Sequence, residues 1–525
     1  MRRQEEAREE LTSRVINLVN EKLPKDDAKL LTNFVKQYYL SAAPEDLLEL
    51  EVIDLYGALV SHWHFIHQRA PGEAKVRVYN PQYEQHGWQS THTVIEVIDD
   101  HLPFLIESVR MVLHKRGLNV HLILHLNGLR VQRDAKGIIT NIYNNHYKDT
   151  KLLSETPMFI EIDKQSDPAV LDEIEADIRG VIEDVTLTVN DWHELTGKME
   201  SIIQEMKVKS KDSKKELDKE ILEFLEWINN NHFTYLGYCQ RKLIADKGNY
   251  HFTLDNDTCL GILRKNPESY FGSFQDMPKI AQESALSSFP LILGKTDKIS
   301  TVHRPTHTDF IVVKIFDEKK KVIGEHQFIG LYTSAAYNRS PQGIPLLRLR
   351  VKQILERAGV SHDSHDGKAL SNILETLPRD DFFHATVDEL YDLSMGILHL
   401  QERQRIRLFI RKDSFTRIYS CLVFVPRERF NSKLREKMET ILKQELGGYQ
   451  VDFSTRFTES VLARIHFIVR YKDDLTKEYD PIVLQDKLIQ VARTWEDNFK
   501  DSLLEHFGEE NGNRLFQLYR GAFPV

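Results

Sequence analysis

The stretch VIEVIDDHLPFLIESVRMVLHKRGLNVHLILH, residues 94–125, reads as strand, acidic turn, helix, glycine stop and second strand. Val94, Ile95, Val97 and Ile98 make the apolar run of a largely buried strand, and Asp99, Asp100 and His101 are expected to stop it. Pro103 is expected to open the helix in its first turn, where its missing N–H costs nothing. Leu105, Ile106, Val109, Val112 and Leu113 then recur at spacings of three and four, with Glu107, Arg110 and Lys115 on the other side, which defines one apolar helix stripe. Gly117 suits a left-handed C-terminal cap. From Asn119 to His125 the period changes to two: Val120, Leu122 and Leu124 face one way, His121, Ile123 and His125 the other. The stretch holds no evident nucleophile, metal cage or phosphate loop.

At 525 residues the chain exceeds what one core supports, and about two to four domains are expected. Apolar content of 41% with 28% charged residues belongs to an ordinary soluble protein, and a net charge of −9 gives no general pull toward nucleic acid. Three cysteines, Cys239, Cys259 and Cys421, are too few and too widely spaced for a thiolate zinc site or a disulfide framework, which points to a reducing compartment and hence the cytoplasm. The opening MRRQEEAREE lacks the apolar core of a signal peptide, and no run approaches the roughly 18 apolar residues of a membrane span.

The organisation expected is α+β and multi-domain. Residues 1–70 are helical by their apolar stripes and break at Ala70-Pro71-Gly72. Residues 75–205 hold a first module, running from strand Lys75 to Tyr79 through the stretch above to strand Met158 to Asp163, with Pro168 starting a long helix; this suggests a ferredoxin-like βαββαβ sheet. The lysine-rich segment 207–219 is solvated helix or linker. Residues 220–340 are β-rich, with a hairpin turning at Asp317 and Glu318. Residues 341–400 form a helical connector with helices Pro341 to Ala358 and Lys368 to Leu377. Residues 401–495 repeat the element order of the first module without its sequence, and 496–525 form a helical tail.

Catalytic motifs are missing. Neither G-x-G-x-x-G nor G-x-x-x-x-G-K-[ST] occurs among the 24 glycines, and no G-x-S-x-G elbow is present. His64 and His67 stand one helical turn apart with no carboxylate or cysteine beside them, and read as helix packing. SHDSHDGKAL, residues 361–370, is the densest His/Asp cluster; Asp363 to Asp366 read as cap and turn residues, and an independent metal-dependent hydrolase centred on His362 and His365 is the alternative. CLVFVPRERF and RIHFIVRYK lack the aromatic and glycine pattern of RNA-reading strands. One feature looks like a site. The turn Asp99-Asp100-His101-Leu102-Pro103-Phe104, running into Leu105, joins a strand end to a helix start, where free N–H groups can hold a small ligand's carboxylate while an aspartate holds its amino group.

That turn resembles the Asp-x-Pro-x-Leu entry of ACT domains, with Phe104 where the usual glycine stands. The wider chain is similar to the amino-terminal region of the large bacterial NAD-specific glutamate dehydrogenases through VRVYNP, EQHGWQSTHTVIEVIDDHLPFLIESV, FLEWINNNHFTYLGY, HRPTHTDFIVVKIFDE, GEHQFIGLYTSAAY, SHDGKALSNILETLPRDDFF and CLVFVPRERFN, in order along nearly the whole length. The resemblance implies ACT-like modules near 75–205 and 401–495, a PAS- or ACT-like segment between them, an amino-acid effector and a homo-oligomer. It also implies that the full-length enzyme oxidatively deaminates L-glutamate with NAD, on a catalytic domain lying after GAFPV. These residues alone are then expected to hold no cofactor and no catalytic residue. A pure assembly scaffold is the rival expectation.

Overall fold

The computed structural model describes residues 2–48, 50–143, 152–210, 215–246, 249–361, 363–400, 403, 405–413, 417–458, 460–472 and 478–522. The first sheet is built from β1 (Lys75–Tyr79), β2 (Thr93–Asp100), β3 (Val120–His125), β4 (Leu129–Arg133), β5 (Ile139–Tyr143) and β6 (Leu153–Ile162). Its order is β1-β2-β6-β4-β5, and β3 also pairs with β6, whose two halves take β4 and β3 in turn. Strand β2 is apolar on both sides because both faces are covered. Ile95 and Val97 pack under helices Leu105–Lys115 and Pro168–Asn190. Val94 and Ile98 pack against the N-terminal helices Arg2–Lys22, Lys25–Tyr38 and Val52–His67. Gly117 has φ +70 and ends the first of the module's helices, as its position suggests.

The central sheet comprises β7 (Phe233–Asp246), β8 (Asn249–Gly261), β9 (Leu291–Ile299), β10 (His307–Phe316) and β11 (Val322–Tyr332) in the order β8-β7-β11-β10-β9. The third sheet, β12 (Arg407–Asp413), β13 (Ile418–Pro426), β14 (Gly448–Phe457) and β15 (Leu462–Tyr471), has the order β12-β13-β15-β14. Helices Ser432–Glu445 and Pro481–Val491 cover one of its faces. Between these two sheets lie the connector helices Leu347–Ala358, His365–Thr376, Arg379–His384 and Val387–Leu400, which share one core with helix Glu216–Asn229.

The element order in both outer modules is ββαββα, not the βαββαβ anticipated. In each, a strand that precedes the first long strand (β1 before β2, β12 before β13) occupies the sheet edge, and the chain leaves as a helix. The first module also carries an inserted hairpin, β4–β5. The helix anticipated from Pro341 begins at Leu347, because a 3-10 turn, Pro341–Gly343, comes first. Among the described residues no helix is long and apolar enough to cross a membrane.

Candidate functional site

The acidic pair belongs to the strand. Asp99 and Asp100 are the last paired residues of β2, opposite Thr156 and Glu155 of β6, so the expectation that they stop the strand is corrected. This register puts three carboxylates together, and like charges on adjoining strands repel. A buried arginine resolves the conflict. Arg69, 1% exposed, follows the helix Val52–His67, and its guanidinium lies 3.1 Å from Asp99, 2.8 Å from Asp100 and 2.9 Å from Glu155. Arg133 on β4 takes the other Glu155 oxygen at 2.7 Å. Burial raises the Asp99 carboxyl, and the Asp100 N–H and Arg69 oppose that rise. The Arg69 backbone is fixed in turn: its N–H donates to the Gly137 carbonyl at 2.9 Å. Gly137 has φ +75, and a Cβ there would come within 2.3 Å of the Arg69 carbonyl oxygen.

The residues after the strand diverge in role. The His101 N–H donates to Ser154, and its Nδ1 lies 3.0 Å from the Thr156 hydroxyl. Leu102 is half-buried and Pro103 exposed. Pro103 does not open the helix, which begins at the buried Leu105, because Phe104 has φ +68, the left-handed region. A glycine in this place would carry no steric penalty; phenylalanine does. Phe104 supplies no side-chain cap, and its ring packs on His303 at 4.6 Å. Ser108 completes this contact, its hydroxyl donating to the Phe104 carbonyl at 2.6 Å and accepting from the His303 N–H at 3.0 Å. A loop of the central module therefore sits against the helix start.

Of the seven predicted residues, the structure brings Asp99 and Asp100 together on Arg69 and places His101 to Leu105 beside them. Asp99 is buried, with one oxygen held by Arg69 and the Asp100 N–H, whereas the Asp100 side chain stays 42% exposed. Such a carboxylate beside an uncapped helix start can accept from an ammonium group. Sequence reading missed Arg69, Arg133, Glu155 and His303. No local signal marked Glu155, which stands between Ser154 and Thr156 ahead of the apolar run that starts at Met158.

The other clusters behave as packing or surface. His64 is exposed, and His67 lies on Trp63 at 5.0 Å. Ser364 caps the helix after it by accepting from the Gly367 N–H, and the His365 side chain is 98% exposed; His362 lies outside the described residues. Among the described residues no group of three or more His, Cys, Asp or Glu is placed to hold a metal ion. The three cysteines are buried, and burial pushes the Cys239 thiol up to about 12.

Family models for glutamate dehydrogenase match four regions: the ACT1 domain at residues 34–178, helical motif 1 at 344–403, the ACT2 domain at 407–496 and helical motif 2 at 502–525. Four domains of one enzyme, glutamate dehydrogenase, are thus matched along the chain. It is 38% identical over 524 residues to the NAD-specific glutamate dehydrogenase of Halomonas elongata, covering 99% of this chain and 32% of that protein. The Pseudomonas aeruginosa NAD-specific glutamate dehydrogenase is 35% identical, with 94% of this chain and 30% of the relative covered. That of Mycobacterium tuberculosis is 27% identical, with 90% and 28% covered. The chain thus spans about a third of the length of these relatives. The two ACT matches fall on the two ββαββα modules, and helical motif 1 falls on the connector.

Proposed function

We propose that these residues form the amino-terminal regulatory and assembly region of an NAD-dependent glutamate dehydrogenase, sensing an amino acid through ACT-like modules. The full-length enzyme would convert L-glutamate, NAD and water to 2-oxoglutarate, ammonia and NADH. The observation that carries the sensing role is the half-exposed Asp100 carboxylate beside the uncapped start of helix Leu105–Lys115. The chemistry belongs elsewhere in the enzyme: the pairs of the three described sheets are antiparallel, whereas a dinucleotide is held where a parallel strand, a glycine loop and a helix meet. Assembly is supported by β14, an edge strand exposing Tyr449, Phe453 and Phe457. Residues 220–340 favour the PAS-like over the ACT-like reading, because their five-stranded sheet departs from the ββαββα path of the other two modules.

Titration calorimetry with a panel of amino acids tests the proposal, with Asp100→Ala beside the parent. Loss of a charged hydrogen bond should weaken binding by about tenfold to a hundredfold, equivalent to roughly 1.5–3 kcal/mol. A lower melting temperature with unchanged affinity would make the turn structural. Glutamate-dependent NAD reduction by these residues alone, lost on mutating one of them, would overturn the division of labour. One observation favours a scaffold that binds no effector: the Phe104–His303 contact and the Arg69 pairs already partner the turn from within.

A further inference from the structure

The third sheet turns a polar row inward. On β15, Arg464, His466 and Arg470 alternate with Ile465, Phe467, Val469 and Tyr471, and the apolar set packs under the module's own helices. Period two would leave the polar set to water. It faces the central module and the connector instead, and Arg470 is only 4% exposed. With His307 of β10, Lys295 of β9, and Asp380 and His384 of helix Arg379–His384, His466 and Arg470 of this row enclose a cavity of about 230 Å³.

Many of the charges around it are matched. Lys295 lies 2.5 Å from Asp309 and 3.4 Å from Asp380, and Arg411 lies 2.8 Å from Asp381. The Ser420 hydroxyl lies 3.0 Å from Asp381 and 2.8 Å from His466. Other groups are left over. Both ring nitrogens of His307 and of His384 are buried without a hydrogen-bond partner, and Arg470 has only the loose pair of its Nε with Asp452 at 3.5 Å. His307 is 7% exposed and the His384 side chain 2%. Buried polar groups in folded proteins are almost always satisfied, so unmatched groups from two elements around one cavity point to a ligand. Burial, helped by Arg470, pulls His307 down to about 4, which leaves a neutral ring with one donor and one acceptor at neutral pH.

The left-over chemistry has two signs. Arg470 and His307 offer donors to an oxyanion, while the Asp380 carboxylate, 24% exposed and with only its Oδ1 engaged by Lys295 and the Tyr337 hydroxyl, offers a further acceptor to a cation. An inorganic anion would bring no cation to the carboxylates of Asp380 and Asp452 that line the cleft, and a metal finds no ligand group among the described residues. We propose that this cleft, between the central sheet and the third module, binds a small α-amino acid, its carboxylate held by Arg470 and His307 and its ammonium by Asp380. The inference rests on the amino-acid-sensing reading of the chain but places a second site on residues other than those of the Asp100 turn. A ligand there touches two modules at once, so binding joins them.

Calorimetry with the amino-acid panel and with inorganic phosphate, on the parent, His307→Leu, Asp380→Asn and Asp100→Ala, tests it. His307→Leu is the informative variant because it breaks no existing hydrogen bond: the melting temperature should hold or rise while affinity falls at least tenfold. Asp380→Asn should also lose the amino acid, and Asp100→Ala should keep it in the cleft. Affinity unchanged in both His307→Leu and Asp380→Asn but lost in Asp100→Ala would overturn the cleft and leave the turn standing. Binding of phosphate in place of any amino acid, or no binding to the parent, would overturn it as well.

Discussion

The two ββαββα modules share a chain path and a sheet order yet differ at the same point, the passage from the second strand into the helix. In the first, β2 ends in Asp99 and Asp100 held by the buried Arg69, and helix Leu105–Lys115 starts after a left-handed Phe104 with no side-chain cap. In the second, β13 ends in Pro426, and Asn431 caps helix Ser432–Glu445 by accepting from the Leu434 N–H at 2.9 Å. Nearby Arg429 pairs with Asp497, both about one-third exposed. The far faces differ as well. The N-terminal helices seal the first sheet with apolar packing, whereas the second turns Arg464, His466 and Arg470 toward the connector and central sheet. One topology therefore supports a charged turn in one copy and a charged face in the other; the fold positions sites without deciding which is used.

Removing the guanidinium should separate the modules most sharply. Arg69→Ala strands Asp99 in the interior, leaves Glu155 to Arg133 alone and should cost about 3–5 kcal/mol in chemical denaturation, whereas Arg429→Ala, at the exposed pair, should cost at most about 1 kcal/mol. Equal losses would break the contrast.

Acid should act on the central sheet where it meets the second module's far face. The folded-state value of His307 is depressed to about 4, below its unfolded value near 6.5. The unfolded chain thus binds more protons between those values. The stability contribution of the neutral ring is full above about pH 6.5 and is lost as pH falls toward about 4, by up to about 1.4 kcal/mol per pH unit. Its neighbours Arg470 and Lys295 act in the same direction and Asp452 against it. His307→Leu should flatten this part of a melting-temperature profile measured against pH.

Asn431→Ala should cost about 1 kcal/mol as an ordinary cap loss, read by thermal denaturation, and leave amino-acid binding untouched. Phe104→Gly should change stability least. Relief of the left-handed strain, about 1 kcal/mol, is offset by loss of the ring contact with His303, of similar size. If the turn is a site, this variant should bind amino acid more tightly; weaker binding would mean the ring is part of the site.

What was legible followed from periodicity. The strand–helix–strand of residues 94–125, the Gly117 stop and the kinship of the two modules were all visible, because burial on one or both faces writes itself into residues two or three to four apart. The permuted element order was less visible: Lys75–Tyr79 reads as a strand, but nothing local says that it fills the edge another strand would take. Strand β9 was missed because Gly294, Lys295 and Thr296 break its apolar run, their burial being supplied by partners such as Asp309 and Thr308. Arg69 was invisible for the same reason. Its meaning lies in Glu155, 86 residues away.

Helix Pro168–Asn190 carries a mechanical consequence. Because the first module ends in a helix, this 23-residue element, about 35 Å long, is free to serve as a wall for two sheets. Ile174, Ile178 and Val185 lie in one apolar cluster with Val76 and Ile95 of the first sheet and with Leu236, Cys239 and Leu331 of the central one. Asp184 on the same helix fastens the central module, 2.8 Å from Lys265 and 2.7 Å from Thr301. The element works as a shared beam, so a tilt imposed on it by one sheet is delivered to the other as displacement, with no hinge in between to absorb it.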